Sequence, residues 1–237
     1  MNCVILQPSY IPWRGFFHQV QKADVFVFYD DVQYDDRGWR NRNRIKTASG
    51  TQWLTIPVLG RGAQVETIPI HEVPICWDRP WPRKHWTTIR HAYSRAPFFR
   101  RYAGLIEAFY ARRDERLADF TIDFIIALAR ELGLEGTQFV RSSMLGIEGG
   151  RMERLIGILK AVGARRYISG PSARAYVDEA LLRQAGVTIE YMAYDYPEYE
   201  QLHAPYDPQV SILDLLFMKG PDAPAYIWGG DRAALRA

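Results

Sequence analysis

The chain has 237 residues, 48% of them hydrophobic and 24% charged, which supplies apolar mass for a substantial core without the bias of a disordered or low-complexity segment. Its 30 basic and 27 acidic residues leave a net charge of +3, too balanced for nucleic-acid binding by bulk electrostatics. No apolar run reaches the roughly 18 residues of a membrane span, no secretory signal is visible, and two widely separated cysteines, Cys3 and Cys76, argue against a disulfide framework or a Cys-rich zinc site. The expectation is a cytoplasmic protein with no membrane segment, both cysteines being buried small hydrophobes.

In chain order, Cys3 to Leu6 and Val25 to Tyr29 are short apolar runs that end in polar residues, Gln7-Pro8 and Asp30-Asp31. Both read as buried strands. Between them Gly15 to Lys22 has the length of two helical turns, with Phe16, Phe17 and Val20 on one side. This β-loop-α-β unit predicts a parallel sheet with a right-handed crossover. Trp53 to Pro57 and Thr67 to Ile70 read as a pair of strands turned at Gly60-Arg61-Gly62. Amphipathic helices follow at Arg83 to Tyr93, Phe98 to Ala111 and Asp119 to Leu132, the second opened by Pro97 and the third stopped by Gly133. The final third alternates: strand Gln138 to Arg141, helix Gly150 to Val162, strand Arg166 to Ser169, helix Ala175 to Ala185, strand Thr188 to Ala193. Ile212 to Met218 closes it as an apolar helix. Alternation of this kind is the doubly wound signature, so the fold expected is α/β, a Rossmann-like parallel sheet. Residues 1–237 are read as a single domain, with a helical and β-hairpin insertion at about 47–115.

Ligands of an open parallel sheet bind outside the carboxyl ends of the strands. Candidate site residues are therefore those that follow each strand. Gln7 and Tyr10 follow the first, Asp31 and Gln33 the second, and Arg141 and Ser142 a later one. In the last such segment, Ser169, Gly170, Ser172 and Arg174 suit an anion held by hydroxyls, backbone N–H groups and a guanidinium, although Ser172 alone also suits a helix cap. Arg37, Arg40, Arg42, Arg44 and Lys46 form a basic cluster, in which Arg42, Asn43 and Arg44 pack donors densely and alternation could place half of them on a strand face. The five histidines show no metal-ligand spacing; no metal site is expected, and His85 and His18 are the acid–base candidates.

Taken together, Gln7 to Phe17, Asp30 to Tyr34, Arg42 to Lys46, Trp53 to Val58, Ser169-Gly170-Pro171 and Asp214 to Phe217 resemble the WbqC-like family, in its order and spacing. That resemblance implies a place in bacterial O-antigen or other surface-polysaccharide biosynthesis, with glycine transfer suggested for some members. A second resemblance is to nucleotidyltransferases with an HxGH loop. Pro12-Trp13-Arg14-Gly15-Phe16 stands in the place of that loop and Ile168 to Arg174 in the place of its phosphate-binding segment. Trp13 and Phe16 replace both histidines, and aromatic rings cannot give a phosphate charge-assisted hydrogen bonds. The function expected is a transferase that attaches an amino-acid or other acyl group to an amine or hydroxyl of a nucleotide-linked sugar or related metabolite. The donor would be an acyl carrier, a carrier protein or an aminoacyl-tRNA. Asp31 and Gln33 would orient the acceptor, and His85 or His18 would take its proton. The alternatives are a ligase or nucleotidyltransferase using ATP with Mg, and a ligand-binding subunit without catalysis.

Overall fold

The computed structural model describes residues 1–36, 38–59 and 68–229. Five strands, β1 (Asn2–Leu6), β2 (Val25–Phe28), β5 (Gln138–Arg141), β6 (Arg166–Ser169) and β7 (Thr188–Tyr191), form one sheet in the order β5-β2-β1-β6-β7, every pair parallel. Register is fixed by alternation. Val4, Phe26, Phe28 and Ile168 face a core shared with α1 (Arg14–Lys22) and α4 (Leu117–Glu131), whereas Cys3, Ile5, Val25, Val27 and Tyr167 face α5 (Arg151–Ala161) and α6 (Glu179–Gln184). A slip of one residue would exchange the two faces. Phe26 and Phe28 are wholly buried, each contributing roughly 1.5–3 kcal/mol by leaving water. The doubly wound α/β architecture is therefore as the alternation predicts.

Between β2 and β5 the chain adds an antiparallel hairpin, β3 (Arg42–Thr47) with β4 (Gly50–Thr55), and the helices α2 (Trp81–Tyr93) and α3 (Phe99–Ala111). The hairpin differs from the one expected. The strand at Trp53 pairs backward, Arg44 opposite Trp53, around Ala48-Ser49. Ile68 to Ile70 instead pairs with the segment after β2: Tyr34 N–H donates to Ile68 O at 3.0 Å and Ile70 N–H to Val32 O at 2.9 Å. The Gly60-Arg61-Gly62 turn, Thr67 and Arg37 lie outside the described residues. The backward pairing is favoured because Ile45 and Leu54 then enter the core with Asn43, while Arg42, Arg44 and Trp53 stay on the outer face.

The helix expected from Ala175 is also shorter. Pro171–Ala175 forms a 3-10 turn, and α6 starts after Asp178, whose carboxylate accepts the N–H groups of Ala180 and Leu181. Ser172 makes no such cap. Of the two cysteines, Cys3 is buried as expected and Cys76 is half-buried. α7 (Ile212–Lys219) closes the fold, its wholly buried Asp214 accepting hydrogen bonds from Tyr93, Tyr199 and Gln201. Burial pushes the Asp214 carboxyl up against the lowering effect of those donors. Tyr93 also accepts the Lys46 N–H at 2.9 Å, so this one carboxylate ties α7 to α2 and the hairpin.

Candidate functional site

The strand order reverses at β1, whose neighbours β2 and β6 are reached by connections running in opposite directions. That switch point leaves a crevice at the carboxyl ends of β1 and β6. A cleft of about 780 Å³ lies there, floored by Leu6, Gln7 and Tyr167 and walled by Trp13, Phe16 and Gln19 of the first loop and α1. Trp39, Arg40, Asn43 and Gln209 form its hairpin side, and Tyr29, Arg151 and Tyr176 its far side.

The first loop is held from outside itself. Asn43 Nδ2 donates to Tyr10 O at 3.0 Å and Ile11 O at 2.9 Å, Tyr10 N–H donates to Trp39 O at 3.0 Å, and Ile212 N–H donates to Pro12 O at 2.9 Å. These bonds hold Ile11 at φ 37°, a left-handed conformation that costs a β-branched residue roughly 1–2 kcal/mol. Trp13 then lies over the first turn of α1. A Cβ at Gly15 would collide with its indole ring, so Gly15 serves close packing. The indole meets Tyr194 edge-on at 5.0 Å.

Two polar atoms of the cleft residues are buried without a hydrogen-bond partner among the described residues: Nε of Arg40 and Oε1 of Gln19. Burial pulls the Arg40 guanidinium down to about 10, against Asp35 and Tyr34, which raise it; it remains cationic at neutral pH. Arg151, at the first position of α5, has its guanidinium 5.0 Å from the Tyr176 ring centre. The described lining holds two cations, several aromatic rings and amides, and neither a carboxylate nor an imidazole. It can bind an anion and stack a planar ring; it brings no carboxylate, imidazole or thiol base of its own.

A model of the WbqC-like protein family matches residues 7–226, which takes in the cleft-lining residues from Gln7 to Gln209. The chain belongs to the WbqC-like protein family. A relative within reach of direct alignment is the uncharacterized protein Rv1507c of Mycobacterium tuberculosis, 37% identical over 225 residues that cover 94% of this chain and 96% of the relative. No solved structure matches the chain.

Within this WbqC-like fold, the residues expected at the site fall into separate groups. Gln7 and Asn43 line the cleft. Tyr10 is 0% exposed and turned behind the loop, its hydroxyl bonded to the Tyr110 hydroxyl and, at 2.9 Å, to His85 Nδ1. His85 is 6% exposed, and burial lowers it to about 4, partly offset by a backbone hydrogen bond at Thr55. His18 bonds the Tyr196 hydroxyl at 3.0 Å; burial and then Lys22 lower it. Neither histidine lines the cleft.

Asp31, Arg141 and Ser142 converge elsewhere, beyond β2 and β5. Arg154 pairs with Asp31 at 2.5 Å and Ser142 Oγ donates to it at 2.5 Å. Arg141 spans Asp30 and Asp119 at 2.6 and 2.5 Å. Gln33 is exposed. Arg42 and Arg44 sit on the outer hairpin face over Trp53, at 4.8 and 5.6 Å, and Arg44 also donates to Gln209 at 2.8 Å. Of the expected anion loop, Ser169 is buried and donates to the Tyr167 hydroxyl at 3.0 Å, Arg174 stacks at 3.9 Å on Tyr191, and Ser172 is exposed. Gly170 packs close to Tyr194, whose hydroxyl would lie 3.3 Å from an added Cβ.

Sequence reasoning missed Arg151, Gln19, Tyr29, Tyr176 and Gln209. Arg151 had a signal, since it follows Gly149-Gly150 at a helix start after a strand; the others carried none. Among the described residues no group of three His, Cys, Asp or Glu side chains converges as a metal site would, and no helix is long and apolar enough to cross a membrane.

Proposed function

We propose that the cleft binds a nucleotide-linked sugar and that the protein transfers an amino-acid or other acyl group, glycyl in the simplest case, onto an amine or hydroxyl of that sugar. The observation that supports this reading is the pair of buried atoms left without partners, Arg40 Nε and Gln19 Oε1, in a switch-point crevice with a second arginine and aromatic walls. Buried polar groups are normally satisfied, so such atoms on residues that line a large cleft suit a ligand that supplies the missing acceptor and donor. A diphosphate fits Arg40 and Arg151, and Trp39 or Tyr176 offers a face for a base or sugar ring.

Acyl transfer to an amine suits a lining without a side-chain base. The neutral amine attacks the activated carbonyl, the C–N bond forms, the bond to the leaving group breaks, and the amine proton departs with solvent or the leaving group. Positioning supplies much of the rate, and a guanidinium can stabilise the oxyanion. The reading with ATP and Mg keeps the same cleft and charge. Against it stands Trp13, whose indole covers the α1 turn where an HxGH loop would present histidines to a phosphate.

The test couples binding to chemistry. The full-length protein is screened by thermal shift against nucleotide-linked amino sugars, ATP and CoA, then incubated with the binding sugar and activated acyl donors, with the sugar's mass followed. Stabilisation by a nucleotide-linked sugar together with gain of one acyl mass supports the reading. Stabilisation with no mass change from any donor favours a ligand-binding subunit, and stabilisation by ATP alone favours the ligase.

A further inference from the structure

Far along the chain from the cleft-lining segments, two cavities meet at the start of α2. One, of about 580 Å³, is lined by Trp77, Trp86 and Tyr110 together with Arg79, Arg83 and Arg113; the other, of about 380 Å³, by Val58, Cys76, Trp81, Lys84 and His85; Arg79 and Pro80 belong to both. The helix between them runs 13 residues and begins without a side-chain cap and without an acidic residue in its first turn. Arg83 and Lys84 occupy that turn instead. Cations there oppose the positive end of the helix dipole, and no ion pair among the described residues engages Arg79, Arg83 or Lys84. Of the nearby charged groups, Arg112 is held by Asp114 and Asp123 at 2.6 Å each, and Glu107 accepts the Trp86 Nε1–H at 2.7 Å. Arg79, Arg83, Lys84 and Arg113 then outnumber the two carboxylates of the lining, Asp78 and Glu107.

The second observation is independent of charge. Trp81 is 4% exposed, lines the smaller cavity, and its indole N–H has no acceptor among the described residues. A buried donor without a partner costs roughly 1–3 kcal/mol, so its persistence beside an uncapped helix start and unpaired cations points to an acceptor that comes from outside the chain.

We propose that the start of α2 is a second binding site, separate from the switch-point cleft, for the phosphate groups of a nucleotide. Pro80 and Pro82 carry no N–H, so the backbone N–H groups of Trp81 and Arg83 together with the Trp81 indole N–H donate to the phosphate oxygens, Arg79 and Arg83 neutralise their charge, and the nucleoside lies against Trp77 and Trp86 in the larger cavity. Cys76 and Val58 give the smaller cavity its apolar wall. Tyr110 of the one cavity and His85 of the other both bond Tyr10, so occupancy is joined by direct hydrogen bonds to the buried back of the first loop, whose other side faces the cleft.

The site is read by ¹H–¹⁵N correlation spectra of the full-length protein, which has seven indole N–H signals, on titration with ADP, pyrophosphate and adenosine. Trp81→Phe assigns the decisive signal, and calorimetry on the same ligands gives a readout that does not need that variant to fold. The expected result is that ADP moves the Trp81 signal and that the exposed-residue double variant Arg79→Ala/Arg83→Ala weakens ADP at least tenfold, while Arg151→Ala in the cleft leaves the Trp81 response in place. Absence of any Trp81 shift at millimolar ADP overturns the proposal, as does undiminished ADP affinity in the double variant. Pyrophosphate binding as tightly as ADP overturns the nucleoside assignment, and adenosine binding as tightly as ADP overturns the phosphate assignment.

Discussion

Two groups of polar residues stand at the carboxyl end of the same sheet, and they are chemically different. Beyond β2 and β5 the carboxylates are taken up by the chain itself: Asp30 is wholly buried and accepts from Arg141, Ser143 Oγ and the Ser143 N–H, Asp31 is held by Arg154 and Ser142, and Arg154 Nε is the one buried side-chain atom of the cluster without a partner among the described residues. Beyond β1 and β6 the cleft keeps buried atoms without partners on Arg40 and Gln19. Polar residues after a strand are therefore of two kinds, those that staple loops and those held in reserve. Residue type does not distinguish them; only the satisfaction of their hydrogen bonds does.

The largest test of this contrast is Asp30→Ala. Leaving the Arg141 guanidinium without its buried partner should cost about 3–5 kcal/mol, measured by urea unfolding. A loss below about 1 kcal/mol would show that the polar cluster beyond β2 and β5 is not a structural staple.

Next in size is the pH dependence from His85, which stands behind the cleft wall. Its folded pKa of about 4 lies below the ordinary 6.5, so the folded state favours the neutral ring. The contribution is complete above pH 6.5 and drains away as pH falls toward 4, where the unfolded chain takes up a proton that the folded chain refuses. The shift corresponds to roughly 3 kcal/mol at most. Unfolding free energies at pH 7.5 and 4.5 should diverge less in His85→Gln than in the parent; equal divergence would mean that other groups carry the effect.

The smallest expected change in stability comes from the cleft itself. Arg40→Ala and Arg151→Ala should each unfold within about 0.5–1 kcal/mol of the parent, while the affinity for the best nucleotide-linked sugar falls at least tenfold by calorimetry. A variant that loses stability but keeps affinity would move that arginine into the stapling class.

These contrasts also explain what could be read from the sequence. The strand expected at Val25 to Tyr29 and the helix expected at Arg83 to Tyr93 declare themselves by apolar run and period and are found at Val25–Phe28 and Trp81–Tyr93, and a cleft lies after β1, where the strand order placed it. The hairpin register did not, because the Gly60-Arg61-Gly62 turn signal outweighed Ala48-Ser49, and only the burial of Ile45 with Leu54 decides between them. Tyr10 and His85 were legible as polar residues near a strand end or a helix start. Their pairing across 75 positions, which turns both away from the cleft, is a tertiary fact. Arg151 reaches the cleft because α5 begins at its edge, which Gly149-Gly150 before a helix start could have signalled; Gln19, within α1, carries no such local pattern.

Asn43 has one more consequence. The shape of the first loop, including the left-handed Ile11, is written 32 positions downstream, so the stretch from Gln7 to Phe17 is not a portable module. Grafted onto another parallel sheet, the same eleven residues would relax into an ordinary turn. Within the family, the loop and the hairpin should therefore be inherited as one unit, and a chimera that exchanges either alone would lose the cleft while keeping its sheet.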